Sequence, residues 1–298
     1  MMMKNVITLP RIISGFQCSF STRSNVSNQK THFGFDEVSE EEKASKVLKV
    51  FENVAEKYDL MNDLMSGGIH RVWKDYFIRK MGPTSRTKLL DVAGGTGDIS
   101  FRFLDYLKVQ KSPPQEVYCD SIDDNDDISW EDSSEPHVVV CDINDNMLKV
   151  GRRRAKLLGY LTNISWKQGD AENLPFAEDV FDAYSIAFGI RNVIHIEKAL
   201  DEAYRVLRPG GRFLCIEFSH VPNPALKWVY DNYSFQVIPP LGQVVAGDWK
   251  SYQYLVESIR KFPNQEDFKY MIENAGFRCV TYENLTFGVT AIHSGFKI

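Results

Sequence analysis

Three glycines stand close together directly after an apolar run at 88–92: Gly94, Gly95 and Gly97. Such a turn between a strand and a helix lets a ligand approach the backbone, and the N–H groups that open the helix can bind a carboxylate or a hydroxyl. The Gly-Lys-Ser/Thr ending of a phosphate loop is missing. Asp91 and Asp98 flank the turn, and their negative charge disfavours a pyrophosphate but suits hydroxyls, an ammonium or a sulfonium. The turn therefore predicts a site for S-adenosylmethionine.

Two further acids follow apolar runs downstream, Asp142 after 136–141 and Asp170 after 163–168. An acid that ends the second strand of a doubly wound sheet holds ribose hydroxyls, which is the expected role of Asp142. Asp170 is placed to accept a hydrogen bond from the adenine amino group, while Ala171 leaves room for the ring. The alternative role of Asp170 is a helix N-cap.

A third group of polar residues is expected at the same edge of the sheet. Arg191 and Asn192 follow an apolar strand at 180–189, and Glu217 lies near the end of a strand at 213–218. Ligands of open α/β sheets bind beyond the carboxyl ends of the strands, so these side chains are predicted to face a pocket. The helix between the two strands carries an apolar stripe from 196 to 207, and the sequence Arg-Pro-Gly-Gly at 208–211 ends it.

Apolar residues also repeat at helical spacing before the glycine turn, which predicts a helical cap over 31–82. The two predicted apolar faces are Val47, Val50, Phe51, Val54 and Tyr58, and Ile69, Val72, Trp73, Tyr76 and Phe77. Four polar residues of the cap could reach the pocket: Tyr58, Asp59, Asn62 and His70. Together with the strands, the cap predicts an α/β fold with a Rossmann-like sheet.

The segment 222–262 is rich in aromatic and aliphatic residues and precedes a predicted helix near 264–275 and strands at 278–284 and 286–297. Such a segment fits a cover for a long apolar substrate. A homodimer interface uses the same residue types, so both interpretations stay open.

Two segments differ in composition from the rest. Residues 112–135 hold nine acids without a Lys or Arg, which predicts a disordered acidic insert over 112–136, with an acidic docking segment as the alternative. Residues 1–30 contain four basic residues and no acid, as in a mitochondrial presequence, and cleavage is expected near 20–24. A disordered tail is the alternative. One globular domain is predicted over 31–298.

Composition excludes several classes of protein. The net charge is −5, so no basic face indicates binding to nucleic acid. The five cysteines are not spaced as metal ligands are, so they are predicted to be reduced thiols, and no metal site is predicted. No apolar run is long enough to cross a bilayer, so any membrane contact is expected to be peripheral.

Seven motifs occur together in this chain: THFGF (31–35), VAEKYDLMNDLMS (54–66), GIHRVWK (68–74), DVAGGTGD (91–98), FGIRN (188–192), YRVLRPGG (204–211) and SYQYLVESIR (251–260). As a set, they resemble the ubiquinone/menaquinone biosynthesis C-methyltransferase family. The resemblance runs from Thr31 to the C-terminus and is interrupted only by the acidic insert. It implies the class I S-adenosylmethionine-dependent methyltransferase fold, with a seven-stranded sheet and a helical insertion before the last strands.

The resemblance also implies the reaction, a methyl transfer to a ring carbon of a methoxy-polyprenyl-benzoquinol in ubiquinone synthesis. The family pattern places cofactor contacts at Thr96, Asp142, Asp170 and Ala171. Many family members have Ser where this chain has Ala187, and no contact is assigned there. With the presequence, the resemblance implies a peripheral protein of the mitochondrial inner membrane on the matrix side, in a complex with other coenzyme Q biosynthesis proteins, and a homodimer.

Methyl transfer to carbon requires a group that takes or polarises a quinol proton. Arg191 matches the motif, but its high pKa makes it a stabiliser of phenolate charge rather than a base. Asn192 is expected to hold a quinol oxygen, and Glu217 or His70 would accept a proton better. The structural alternatives are a hydrogen bond at a strand end for Glu217 and a helix-surface position for His70. Two alternative functions remain: a demethylmenaquinol methyltransferase, which the presequence disfavours, and a non-catalytic scaffold.

Overall fold

A mixed sheet of seven strands forms the centre of the computed structural model, which describes residues 30–54, 58–110 and 137–298. Its strands are β3 (Lys88–Val92), β4 (His137–Asp142), β5 (Ile164–Gln168), β6 (Phe181–Ala187), β7 (Leu207–Phe218), β8 (Arg278–Leu285) and β9 (Thr290–Phe296). The spatial order is β5-β4-β3-β6-β7-β9-β8. The first five are parallel, and β9 is antiparallel to both β7 and β8. From β3 the chain continues to β4 and β5 on one side of the sheet and then returns to β6 on the other side of β3. Sheets of this type bind ligands at the point between β3 and β6 where the direction of the strand order reverses.

Parallel strands are covered on both faces, which explains their continuous apolar sequences. Leu89, Leu90, Val138, Val139 and Val140 are all buried, and helices pack on both sides of the sheet. The flanking helices are α4 (Asp98–Gln110), α5 (Asp145–Leu158), α6 (Ile196–Val206) and α10 (Gln265–Asn274). The core therefore consists of two layers that hold the carboxyl ends of the strands in fixed positions.

Two predicted strand boundaries are wrong. The helix α6 ends at Val206, one residue before the end of the predicted stripe, and β7 begins at Leu207 rather than at 213, because Leu207 pairs with Phe181 before the register shifts. The last strand begins at Thr290 rather than at 286. Residues 286–288 instead form a 3₁₀ turn in which Thr286 and Phe287 have positive φ values of 46° and 58°.

The region before the sheet holds a hairpin and three helices: β1 (Lys30–Phe33), β2 (Asp36–Ser39), α1 (Glu40–Val54), α2 (Tyr58–Ser66) and α3 (Ile69–Met81). The apolar stripe predicted over 47–58 is divided between α1 and α2. Residues 55–57 and the side chains of residues 52–60 lie outside the described part of the chain. The predicted approach of Tyr58 and Asp59 to the pocket therefore also falls outside it.

The apolar face predicted for the second cap helix is partly wrong. Trp73 and Phe77 are buried, whereas Val72 is 60% exposed and Ile69 and Tyr76 are also exposed. The face of α3 that packs inward repeats every three to four residues from His70 through Trp73, Lys74 and Phe77. Two polar residues therefore occupy the inner face in place of the predicted apolar ones.

Three helices fill the aromatic segment before α10: α7 (Pro224–Gln236), α8 (Ile238–Ala246) and α9 (Trp249–Lys261). Gly242 of α8 lies so close to Tyr252 of α9 that an added Cβ would be 2.1 Å from its ring. No helix in the described ranges is long and apolar enough to cross a membrane. The predicted presequence, apart from Lys30, and the acidic insert lie outside those ranges.

Candidate active site

The glycine turn connects β3 to α4 at the point where the strand order reverses. The φ values of Gly95 and Gly97 are +54° and +85°, which favour glycine. A Cβ on Gly94 would lie 2.7 Å from Val140 Cγ1, and one on Gly97 would lie 2.8 Å from Trp166 Cη2. The turn thus needs its glycines for conformation and for close packing.

The acids flanking the turn are both bound by protein groups. Asp91 is buried and accepts hydrogen bonds from the hydroxyls of Ser100 and Ser185, at 2.7 and 2.8 Å. Burial raises the pKa of Asp91 to about 6. Asp98 is paired with Lys74 at 2.7 Å and with Arg102 at 3.1 Å. The acids lie where the sequence predicts, but the negative charge of Asp98 is balanced by two cations and does not form an open anionic wall.

Asp142 ends β4 beside the turn. Its Oδ2 accepts a hydrogen bond from the Gly95 N–H at 2.9 Å, and its Oδ1 accepts one from the Asn144 N–H at 2.8 Å. Burial raises the pKa of this carboxyl to about 6, although both N–H groups favour the ionised form. Each carboxylate oxygen has a second lone pair, so the group can still accept hydrogen bonds from a bound hydroxyl.

Cofactor affinity should depend on pH through Asp142. Hydroxyl donors prefer the ionised carboxylate, so the Kd for S-adenosylmethionine should be constant well above pH 6 and rise as the pH falls below about 6. Asp142→Ala should weaken binding by about 1–3 kcal/mol and remove this dependence. Calorimetric titrations from pH 5 to 8 measure both effects. An unchanged Kd in the variant would exclude Asp142 from the site, and a retained pH dependence would assign it to Asp91.

The remaining predicted cofactor residues lie on neighbouring loops. Asp170 is exposed at the end of β5, and its Oδ1 accepts a hydrogen bond from the Glu172 N–H at 2.9 Å. Ala171 packs against the hydrophobic core. Thr96 is buried in the turn and accepts a hydrogen bond from Arg154 Nη1 at 2.9 Å. The turn follows β3 and Asp170 follows β5, the two strands that flank β4, and the side chain of Asp170 stays exposed.

The Asp170 loop is also tied to the cap. Glu172 Oε1 accepts hydrogen bonds from the N–H groups of Ile194 and His195, and Glu172 Oε2 lies 2.7 Å from His195 Nδ1. The other ring nitrogen of His195 lies 3.0 Å from Glu40 at the start of α1. The first turn of α1, the Asp170 loop and the loop after β6 are therefore joined by one polar network.

A cavity lies between the cap helices, α9 and the strand ends. Its empty volume is about 710 Å³, including space open to solvent. The lining is mainly apolar and aromatic, with a few polar groups: Val50, Phe51, Met61, Asn62, Met65, His70, Lys74, Phe188, Arg191, Phe218, Ser251, Tyr252, Tyr254 and Leu255. This composition is typical of a site for an apolar ligand with a polar end. The residues that line the cavity come in part from the predicted cap and in part from the predicted aromatic segment.

Arg191 lines the cavity and forms a buried ion pair with Glu217. Arg191 Nη1 lies 2.9 Å from Glu217 Oε1 and also donates to the Phe188 carbonyl at 2.5 Å, and the two side chains are 5% and 2% exposed. Burial raises the pKa of Glu217, while the guanidinium of Arg191 acts in the opposite direction. Arg191 Nε is buried and has no partner among the described residues. Glu217 is not among the residues that line the cavity, so it holds Arg191 rather than facing a ligand.

Asn192 is connected to the cavity through Tyr254, whose hydroxyl donates to Asn192 Oδ1 at 2.9 Å. Asn192 Nδ2 is buried and unpartnered within the described part of the chain. Phe33 of β1 stacks on the Tyr254 ring with centroids 4.0 Å apart. Burial raises the pKa of Tyr254 to about 12, which keeps it a neutral donor. Tyr254 was not predicted as a site residue, although it belongs to the motif at 251–260.

His70 is a cavity residue and not the helix-surface residue that was the alternative prediction. It is buried, and its Nε2 lies 2.8 Å from Asp63 Oδ1. Lys74, one helical turn later, also lines the cavity and was not predicted to do so. The structure thus brings His70 and Arg191 to one cavity, with Asn192 behind Tyr254. The glycine turn is joined to this cavity through the Lys74–Asp98 pair.

Comparison with known proteins gives concordant findings. The sequence profile described as the ubiE/COQ5 methyltransferase family matches residues 38–297. A Xenopus laevis protein named 2-methoxy-6-polyprenyl-1,4-benzoquinol methylase, mitochondrial, is 58% identical over 95% of this chain and 94% of its own length. The Homo sapiens protein of the same name is 60% identical over 90% of this chain and 85% of its own length.

Among solved structures, a SAM-dependent methyltransferase from Thermotoga maritima, described as a possible histamine N-methyltransferase, has a similar fold. Its TM-score is 0.55 at 18% identity, and the match covers 85% of this chain and 100% of the other. At this identity the similarity concerns the fold alone. The predicted class I methyltransferase fold is thereby confirmed.

Proposed function

Because the chain belongs to the ubiE/COQ5 methyltransferase family, we infer that it methylates a ring carbon of a 2-methoxy-6-polyprenyl-1,4-benzoquinol in coenzyme Q biosynthesis. The methyl donor is S-adenosylmethionine, so the enzyme is a C-methyltransferase. The structural observation that supports this reaction most directly is the largely apolar cavity with Arg191, His70 and Lys74 in its wall.

The cofactor is proposed to bind along the glycine turn at the ends of β3, β4 and β5. The backbone of Gly94, Gly95 and Gly97 would line it, Thr96 would contact it, and Asp142 would accept its ribose hydroxyls. Asp170 and Ala171 would bind the adenine. The free lone pairs of the Asp142 carboxylate and the exposed Asp170 side chain fit these roles. When bound, S-adenosylmethionine supplies an activated methyl group on a sulfonium.

The reaction breaks the sulfonium–methyl bond and forms a bond from the ring carbon to that methyl. The ring carbon then loses its hydrogen as a proton, so the net products are the thioether, the methylated quinol and a proton. Removing or polarising the proton of a quinol hydroxyl raises the electron density of the ring and accelerates the attack. The protein must also exclude water and align the two reactants.

Arg191 is proposed to stabilise the negative charge that develops on the quinol oxygen. Its guanidinium is fixed by Glu217 and the Phe188 carbonyl, and its Nε is left without a partner in the described part of the chain. A donor held in place before the reaction stabilises charge without further reorganisation. Asn192 Nδ2 is a second unpartnered donor close by, and Tyr254 orients its amide.

The apolar wall is proposed to receive the start of the polyprenyl chain. Met61 and Met65 of α2 and Leu255 of α9 line the cavity, and Val50 and Phe51 of α1 extend its apolar surface. Flexible methionines adapt well to a chain of branched units.

The proposed location rests on the relatives described above, which are named as mitochondrial. We propose that this chain also works in mitochondria, as a peripheral protein on the matrix side of the inner membrane, with residues 1–30 as its presequence. Association with other coenzyme Q biosynthesis proteins and a homodimer are further proposals. Exposed apolar side chains on α7 and α8, among them Trp228, Val229 and Val244, are suitable for such contacts.

Methyl transfer from labelled S-adenosylmethionine to a short-chain methoxy-prenyl-benzoquinol, kept reduced, tests the proposal with the full chain. The expected product carries one new methyl on a ring carbon. A parallel reaction with a demethylmenaquinol of equal chain length tests the acceptor. Cofactor binding without product, with a verified quinol and partner proteins present, would contradict the proposed reaction and favour a scaffold.

A further inference from the structure

Asp63 and His70 form a pair at the cavity that the sequence motifs do not explain. Asp63 lies in α2 and His70 in the first turn of α3, and the two helices meet at Gly67 and Gly68. His70 Nε2 is 2.8 Å from Asp63 Oδ1. The other ring nitrogen, Nδ1, is buried and has no hydrogen-bond partner within the described residues, although His70 lines the cavity.

We propose that Asp63 is a positioning residue that holds His70 in the tautomer with its proton on Nε2, so that Nδ1 accepts the proton of a quinol hydroxyl. The inference rests on the proposed function for the identity of the proton donor. The tautomer itself does not depend on that function, and it can be measured in the protein without a substrate.

The tautomer follows from the protonation state of Asp63. Arg71 Nε donates to Asp63 Oδ1 at 2.7 Å, and Arg71 Nη2 donates to Oδ2 at 2.6 Å. Arg71 first, and then His70, hold the pKa of Asp63 below its usual range. An ionised carboxylate is only an acceptor, so the hydrogen bond to His70 requires a proton on Nε2. Nδ1 is then left with its lone pair in the plane of the ring.

The charged groups around His70 come from three elements. Asp63 of α2 and Asp98 of α4 favour the imidazolium, whereas Lys74 of α3 disfavours it. Burial is the largest effect, and the pKa of His70 is lowered overall. The imidazole is therefore neutral near pH 7 and can accept a proton. Once protonated, it is stabilised by Asp63 but destabilised by burial and Lys74, which favours release of the proton afterwards.

The other titratable candidates are less suited to this step. Glu217 is bound by Arg191 and does not line the cavity. The guanidinium of Arg191 carries only hydrogen-bond donors and has no acceptor for a proton. In the proposed step, the O–H bond of the quinol breaks and the N–H bond at Nδ1 forms. The oxygen keeps the electron pair, which moves into the ring as the carbon–methyl bond forms and the sulfonium–methyl bond breaks. The ring carbon then gives its proton to water, the electrons of that C–H bond restore the aromatic ring and the phenolate, and the imidazolium of His70 returns its proton to the phenolate oxygen.

Asp63→Asn tests the positioning role, with Asp75→Asn as the matched control. Asp75 is an exposed carboxylate on α3 that pairs with Arg102 and does not contact His70. An asparagine at 63 is neutral and can donate to Nε2 as well as accept from it, so it no longer excludes the tautomer with its proton on Nδ1, and it no longer stabilises the imidazolium. We expect kcat to fall by about 10²-fold or more, as for loss of a general base, and the Kd for S-adenosylmethionine to stay within about twofold. Asp75→Asn should keep its activity.

Two further readouts separate this role from a structural one. The ¹⁵N shifts of His70 should show an unprotonated Nδ1 in the substrate-free protein and an Nδ1 that is protonated in part of the molecules in Asp63→Asn. The acid limb of the kcat profile, which rises with pH as His70 loses its proton, should move to lower pH in the variant because the charge of Asp63 raises the pKa of His70.

An Nδ1-protonated ring in the unmodified protein would overturn the inference, as would equal activity losses in the two variants. If the unmodified protein shows the expected tautomer but transfers no methyl group to the quinol, the proposed function fails while the assignment of the Asp63–His70 pair stands.

Discussion

Arg191→Met should lower kcat by about 10²–10³-fold, the usual effect of removing a preorganised donor to a developing oxyanion. The same change should destabilise the fold by about 3–5 kcal/mol, because it leaves Glu217 as an unpaired buried group. The Kd for S-adenosylmethionine should change little, since Arg191 lies in the cavity wall and not in the glycine turn. Turnover, cofactor titration and urea unfolding measure the three quantities independently.

The double variant Arg191→Met with Glu217→Gln separates the two effects. Removing the charge of Glu217 as well should restore much of the lost stability, because no unpaired charge is then buried. It should not restore turnover, because the donor to the quinol oxygen is still absent. Equal losses in turnover and cofactor affinity for Arg191→Met would instead assign Arg191 to the cofactor site.

Gly151→Ala in α5 should weaken cofactor binding by at least about tenfold and destabilise the protein by about 1–3 kcal/mol, as overpacking does. An added Cβ would lie 2.3 Å from Trp166 Cζ3 and 3.2 Å from the carbonyl carbon of Thr96. Trp166 also limits the space beside Gly97, so its ring cannot move toward the glycine turn without displacing it. The helix propensity of alanine acts in the opposite direction by about 1 kcal/mol at most.

The second variant in this series is Gly151→Ala combined with Trp166→Phe. A smaller ring leaves room for the Cβ, so cofactor affinity should recover relative to Gly151→Ala alone, and Trp166→Phe alone is the control. Calorimetry and thermal unfolding measure both properties. If Gly151→Ala alone binds the cofactor as tightly as the unmodified protein, the prediction is wrong and the glycine turn tolerates displacement.

The glycine turn, Asp142 and the ends of the strands could be predicted because short sequence segments determine them. The apolar run 88–92 is followed at once by its turn, and the structure places both as expected. Arg191 and Glu217 were predicted to lie at the same sheet edge, because neighbouring parallel strands place their carboxyl ends together. Their direct ion pair follows from the register of β6 and β7, which no local pattern reveals.

Contacts between distant segments could not be predicted. The hydrogen bond from Tyr254 to Asn192 and the pairing of Lys74 with Asp98 depend on how the cap and α9 pack on the sheet. Hydrophobic periodicity also predicted too wide an apolar face for α3, because the exposed Val72 and Tyr76 match the apolar pattern as well as the buried Trp73 and Phe77 do. His70 and Lys74 occupy the inner face because they line a cavity rather than a close-packed core.

The stacking of Phe33 on Tyr254 has a consequence for the biogenesis of the enzyme. The hairpin that carries Phe33 also donates the Phe35 N–H to Glu257 of α9, a residue 222 positions later in the chain. A polypeptide that leaves the ribosome or crosses a membrane from its N-terminus therefore presents the hairpin long before its partner helix exists. The quinol cavity closes only when nearly the whole chain has emerged, so partly synthesised chains should lack this cavity and remain unable to bind the substrate.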